Sequence, residues 1–166
     1  MSHSEVTVVV IYKTASYTRV KLADYLRQIA SHGFQAQNAR SGEVSPSLDL
    51  APTEVATAEA IPCGLILNEL MTNSLKHAFP DQRAGEVRVS LGPRQDGQVS
   101  LCVSDNGVGL PEDLAIRQRH SLGLQLVSDL TKQLQGTLEI GPRAAFNITF
   151  MPSTDDTPAT ETRDGR

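Results

Sequence analysis

Residues 68–77 read Asn68-Glu69-Leu70-Met71-Thr72-Asn73-Ser74-Leu75-Lys76-His77, and the fold of the chain turns on this run. At 3.6 residues per turn, Glu69, Asn73, Lys76 and His77 form one polar stripe over two helical turns. Leu67, Leu70, Met71, Leu75 and Ala78 fall on the other side and suit a core. A solvated face would account for a polar stripe, but not for amides, because Asn is a poor former of helix interiors. Asn68, Asn73 and Glu69 together offer oxygens. A hard cation such as Mg²⁺, held by one or two protein oxygens plus phosphate and water, would use them. The spacing predicts a helix over 58–79, with Thr57 as its cap, Pro62 near its start and Pro80 as its stop.

Upstream, Val20, Leu22, Tyr25, Leu26 and Ile29 recur at helical spacing over 20–32, and Gly33 is expected to close that helix. Short strands are expected over 44–50 and 53–57, joined by a turn at Ala51-Pro52. Downstream, 86–91 and 98–105 alternate apolar and polar residues around turn chemistry at 92–97. A loop is expected over 106–120, an amphipathic helix over 121–135 ended by Gly136, and a hairpin over 137–140 and 146–151. This order implies an α/β (α+β) two-layer sandwich, a mixed sheet with helices on one face.

The chain has 166 residues, a length typical of one domain. Its net charge is −4 and it has no Trp, which argues against a general nucleic-acid binder and against stacking platforms for single strands. No apolar run is long enough to span a bilayer and no leader pattern is present, so a cytoplasmic location without membrane insertion is expected. Cys63 and Cys102 lie far apart in apolar stretches and read as neither a disulfide framework nor a zinc site. Residues 1–18 are an N-terminal segment, remnant or flexible, whose β-branched 6–12 could add as a strand. Residues 152–166 hold no large apolar side chain and are expected to be a disordered tail.

Two further constellations carry chemistry. Asp105-Asn106-Gly107-Val108-Gly109-Leu110-Pro111 puts a carboxylate at a strand end. The backbone that follows it can adopt positive φ or approach a ligand closely. A carboxylate accepts hydrogen bonds and so can read an exocyclic amine; an ordinary Asn-Gly turn is the plainer alternative. Ser121-Leu122-Gly123-Leu124 opens a helix whose free N–H groups suit phosphate, although a simple Ser cap would look the same. Between them, Arg117, Arg119 and His120 sit in a polar segment that could close over a triphosphate.

Taken in order, the three motifs resemble the catalytic ATP-binding domain of sensor histidine kinases in the GHKL superfamily, which has the Bergerat ATP-binding fold. Asn68 to Pro80 is similar to the N box of the HWE-like subgroup. The Asp105 and Ser121 motifs resemble the first and second glycine boxes, and Arg19-Val20-Lys21-Leu22-Ala23-Asp24-Tyr25-Leu26 resembles the linker to the dimerisation helices. The resemblance covers 19–151.

The resemblance implies ATP and Mg²⁺ as ligands. Asn73 would ligate the metal. Glu69 would hold a metal-bound water or polarise a nucleophile, and Lys76 would touch phosphate. His77 would lie near the adenine or ribose, and Asp105 would bind the adenine amino group. Gly107 and Gly109 would shape the pocket. Ser121, Leu122, Gly123 and Leu124 would meet the phosphates under a lid of 112–120. The γ-phosphoryl would pass to a histidine on a dimerisation domain, and from there to a response regulator. That histidine normally lies in an H-R-x-K-N motif. His3 and His32 lack it and read as solvated, so this chain alone is expected not to autophosphorylate. A monomer or weak homodimer is expected. The family's Gly-Thr-x-Phe is replaced here by Arg143-Ala144-Ala145-Phe146, which weakens the expected nucleotide contact. Two alternatives are a stand-alone anti-sigma-type serine kinase and a degenerate docking module without catalysis.

Overall fold

The computed structural model describes residues 18–38, 43–109 and 121–154. The elements are β1 (Arg19–Lys21), α1 (Leu22–Asn38), β2 (Val44–Leu50), β3 (Glu54–Ala56), α2 (Thr57–His77), β4 (Gly85–Pro93), β5 (Val99–Asp105), α3 (Leu122–Gln133), β6 (Thr137–Gly141) and β7 (Ala145–Phe150). A five-stranded mixed sheet has the order β2-β4-β5-β7-β6, with β2 parallel to β4 and the other pairs antiparallel.

Period-two alternation decides which face of the sheet is covered. Val87, Val89 and Leu91 of β4 pair with Asp105, Val103 and Leu101 of β5. Leu101 and Val103 in turn pair with Ile148 and Phe146 of β7. All of these apolar residues are buried beneath the helices. The opposite face carries Ser90, Ser100, Cys102, Ser104 and Asn147, none of them buried. Helix α1 packs on α2 and β2, α2 on β4 and β5, and α3 on α2 and β6. The result is the two-layer sandwich with helices on one face.

The chain departs from the sequence expectations in four places. Val20 and Lys21 do not open the first helix; with Arg19 they pair antiparallel with β3, Arg19 opposite Ala56. Strands β2 and β3 are therefore not a hairpin but belong to different sheets. Gly33 does not end α1, which runs on to Asn38. A Cβ at Gly33 would collide with the Met71 Cε, so this glycine lets the two helices approach. Thr57 is not the cap of α2 but its first helical residue. Its hydroxyl and its N–H both donate to the Thr18 carbonyl, at 3.1 and 2.9 Å. Ala56 occupies the cap position, and Glu59 accepts from the Ala56 N–H at 3.0 Å.

The start of the C-terminal segment is anchored. The Ser153 N–H donates to Glu59 at 2.6 Å, and its carbonyl accepts from Arg19 at 3.1 Å. Residues 6–12, the 112–120 lid with Arg117, Arg119 and His120, and the chain beyond Thr154 lie outside the described residues.

Candidate nucleotide-binding site

Asp105 ends β5 at the point where the sheet meets the last turn of α2. Both of its carboxylate oxygens are engaged. Oδ1 accepts from the Gly107 N–H at 3.0 Å and Oδ2 from the Ser74 hydroxyl at 2.8 Å. The two glycines that follow are needed for different reasons. A Cβ on Gly107 would strike the Ala78 carbonyl, and beside it the Val108 N–H donates to that same oxygen at 2.9 Å. Gly109 has open space around it but a φ of +74°, a conformation that costs an L side chain strain. Asn106 is structural, its Oδ1 accepting from the Glu86 N–H at 2.8 Å.

A cleft with a cavity volume of ≈40 Å³ opens beside this carboxylate. Its α2 wall is Leu70, Asn73, Ser74 and His77, and Asp105 and Gly109 line it from the sheet side. Leu124, Ala144 and Phe146 supply apolar surface. A mostly apolar cleft with a few convergent polar groups is the ordinary form of a small-molecule site.

The α2 stripe that faces the cleft is therefore 70/73/74/77, one step round the helix from the 69/73/76/77 stripe expected from the sequence. Asn73 and His77 belong to both. Asn68 does not share their face; it lies in the groove between α1 and α2 beside Tyr25 and Ile29. Lys76 is exposed and outside the cleft lining, in the last turn of α2, where a cation complements the helix dipole. Glu69 also stands outside the lining. Its Oε1 lies where a Cβ on Gly123 would be, so its carboxylate rests against the first turn of α3. Ser121 caps that helix by accepting from the Leu124 N–H at 3.3 Å. Leu122 is outside the cleft lining and 87% exposed, whereas Leu124 is buried and lines it.

Ser74 was not legible as a site residue. It reads as an ordinary polar helix position until Asp105 is brought within reach, 31 residues away in sequence. The available signal was the i, i+3, i+4, i+7 spacing of 70, 73, 74 and 77. Ala144, one of the two residues that replace the family's Gly-Thr, does line the cleft. Arg143 and Ala144 both have left-handed backbones, with φ of 59° and 53°.

No group of three or more His, Cys, Asp or Glu among the described residues is placed to hold a metal. The two thiols are free. Burial, and secondarily the charge of Glu59, pushes the Cys63 thiol up to about 12, and burial also raises Cys102, partly offset by a hydrogen bond from Ser90.

Residues 58–160 match the family model described as histidine kinase-, DNA gyrase B-, and HSP90-like ATPase, and the chain belongs to that family. Its relatives include sensor histidine kinases. It is 31% identical over 121 residues to blue-light-activated histidine kinase 2 of Erythrobacter litoralis (strain HTCC2594), covering 73% of this chain and 34% of that protein. It is 36% identical over 107 residues to the nitrate/nitrite sensor protein NarX of Escherichia coli (strain K12), covering 62% of this chain and 17% of that protein. The chain thus spans about a third or less of these relatives' lengths. The histidine kinase domain of the E. litoralis EL346 blue-light-activated kinase superposes with a TM-score of 0.70 at 28% identity, covering 79% of this chain and 61% of that one. Fold and homology together make this an ATP-binding catalytic domain of the sensor histidine kinase type. No helix among the described residues is long and apolar enough to cross a membrane.

Proposed function

We propose that the Asp105 cleft binds the adenine of ATP or ADP and that the domain donates the γ-phosphoryl to a histidine on a dimerisation domain, for relay to a response regulator. The observation that carries this reading is the Asp105 carboxylate, held on both oxygens at the wall of a cleft that Leu124, Ala144 and Phe146 also line. Each carboxylate oxygen keeps a lone-pair direction for an amine donor.

Asn73 and His77 stand on the same wall and would meet the ribose and phosphates. Mg²⁺ suits a site that offers one amide oxygen rather than a cage, because this ion keeps waters and phosphate oxygens in its shell. Asn73 supplies that oxygen, and the bound ion would neutralise phosphate charge. Glu69, on the turn before Asn73, would orient water or the acceptor, and Gly123 lets α3 start close to it. Catalysis of phosphoryl transfer is mostly positioning and charge neutralisation, which such a cleft provides. The resemblance of Asn68 to Pro80 to the N box of the HWE-like subgroup supports that subgroup as the proposed one, with the cytoplasm as the proposed location.

Calorimetric titration with ADP and a non-hydrolysable ATP analogue, with and without Mg²⁺, tests this reading. Wild-type chain is expected to bind, and Asp105→Ala to lose at least about tenfold in affinity, the order of one hydrogen bond to a charged group. A folded wild type that takes up neither ligand at millimolar concentration overturns the reading and leaves a docking module in its place.

A further inference from the structure

We propose that Ser74 makes the cleft selective for 6-amino over 6-oxo purines, by pinning Asp105 and spending its own proton in doing so. The inference rests on the adenine-nucleotide reading above. The direction of the Ser74–Asp105 bond is not ambiguous: a carboxylate that accepts from the Gly107 N–H on Oδ1 accepts on Oδ2 as well, so the hydroxyl donates. A serine has one proton and two lone pairs. With that proton committed, both Ser74 Oγ and Asp105 offer only acceptors to the cleft.

The nearest backbone donors are also used, Gly107 N–H by Asp105 and Val108 N–H by the Ala78 carbonyl. Leu124, Ala144 and Phe146, which also line the cleft, bring no hydroxyl. Asn73 and His77 are the other polar side chains in the lining, and neither is tied to Asp105 by a hydrogen bond in this structure. An exocyclic amine therefore finds an acceptor pair at this wall. At Ser74 and Asp105 an exocyclic carbonyl meets oxygen lone pairs instead of donors, and a site built to accept from a ligand N–H discriminates against a ligand that lacks it there. Without Ser74 the carboxylate loses one of its two tethers, and water can enter and donate to an oxo group.

Ser74 is thus a positioning residue, and its test must isolate the hydroxyl. ADP and IDP are titrated into wild type, Ser74→Ala, Ser74→Thr and Ser74→Val, with Asp105→Ala alongside and thermal unfolding as the folding check. Thr and Val have the same shape and differ in the hydroxyl. The expectation is that Ser74→Ala and Ser74→Val weaken ADP by about tenfold while IDP changes little. Ser74→Thr is expected to keep the wild-type preference. An unchanged ADP/IDP ratio in both hydroxyl-free variants, an equal loss for both ligands, or a Ser74→Thr variant that behaves like Val overturns the proposal. If wild type binds ADP in an Asp105-dependent way while the ratio is unmoved, only the role of Ser74 fails. If wild type binds neither nucleotide, the adenine reading fails and this proposal with it.

Discussion

Arg143 and Ala144 occupy the left-handed region in succession, with φ of 59° and 53°. Each costs an L residue about 1–2 kcal/mol relative to a relaxed backbone. The strain sits between β6 and β7, where Ala144 reaches the cleft and Phe146 enters the core. Arg143 is exposed, so its side chain returns no burial for that strain. Replacing it with glycine removes the Cβ conflict, less the entropy that glycine adds to the unfolded chain. Arg143→Gly is expected to stabilise the fold by about 0.5–1 kcal/mol, raising Tm by roughly 2–3 °C for a domain of this size. Ala144→Thr on its own is expected to lower Tm, because a β-branched residue at positive φ is an outlier. Thermal unfolding of the two variants decides it, and an Arg143→Gly protein no more stable than wild type refutes the strain assignment. The sequence showed that these positions differ from the family's Gly-Thr. It did not show the backbone conformation, which only the closing of the β6–β7 connection imposes.

Helix α2 shows how much of an element its own sequence specifies. Its apolar face and its stop at Pro80 follow from local pattern, and Leu67, Leu70 and Met71 are buried as that pattern requires. Which polar neighbours face the cleft depends on rotation by one residue, and that is set by what packs behind. Gly33 and Gly64 let α1 come close, Gly33 against Met71 and Gly64 against Tyr25 and Ile29. Gly107 seats the loop after β5 on Ala78. Local propensity reads Gly33 as a helix end, whereas tertiary packing uses it as a helix interior. Likewise Arg19–Lys21 becomes a strand only because Glu54–Ala56 lies alongside.

The two glycines after Asp105 separate these causes experimentally. At Gly107 a methyl group meets the backbone carbonyl of Ala78, which cannot swing aside, and displaces the N–H that holds Asp105. At Gly109 the methyl meets nothing, and only the positive φ is penalised. Gly107→Ala is expected to cost about 2–3 kcal/mol, as overpacking against a fixed neighbour does, and to weaken ADP binding with it. Gly109→Ala is expected to cost about 1 kcal/mol. Urea unfolding of both variants checks the order. Equal costs would place Gly107 in the molecule for conformation rather than for close approach.

At the scale of the whole molecule, the sheet formed by the described residues ends in two edge strands, β2 and β6, and both are blunted. Strand β2 carries Pro46 and the exposed Asp49, and β6 is short and carries the exposed Glu139. Proline and charge on edges oppose strand addition between copies. Stability then rests on the single core beneath the sheet, and Cys63 ties that core to pH. The thiol is fully enclosed, and burial raises it from 9.0 to about 12. Between those values the unfolded chain has lost the thiol proton and the folded chain has kept it, so the unfolded state binds fewer protons. Stability from this group is therefore complete below about pH 9 and is lost as pH rises toward 12. One such group contributes a slope of about 1 kcal/mol per pH unit. Other groups ionise in the same range, so the comparison is with Cys63→Ala, which is less stable at pH 8 because of the cavity it leaves. Urea unfolding at pH 8, 9.5 and 10.5 is expected to show wild type losing stability more steeply than Cys63→Ala, so that the gap between them narrows as pH rises. Parallel slopes would mean that the thiol ionises in the folded protein as readily as in the unfolded one, and that the helices over Cys63 open to water well below the temperature at which the domain melts.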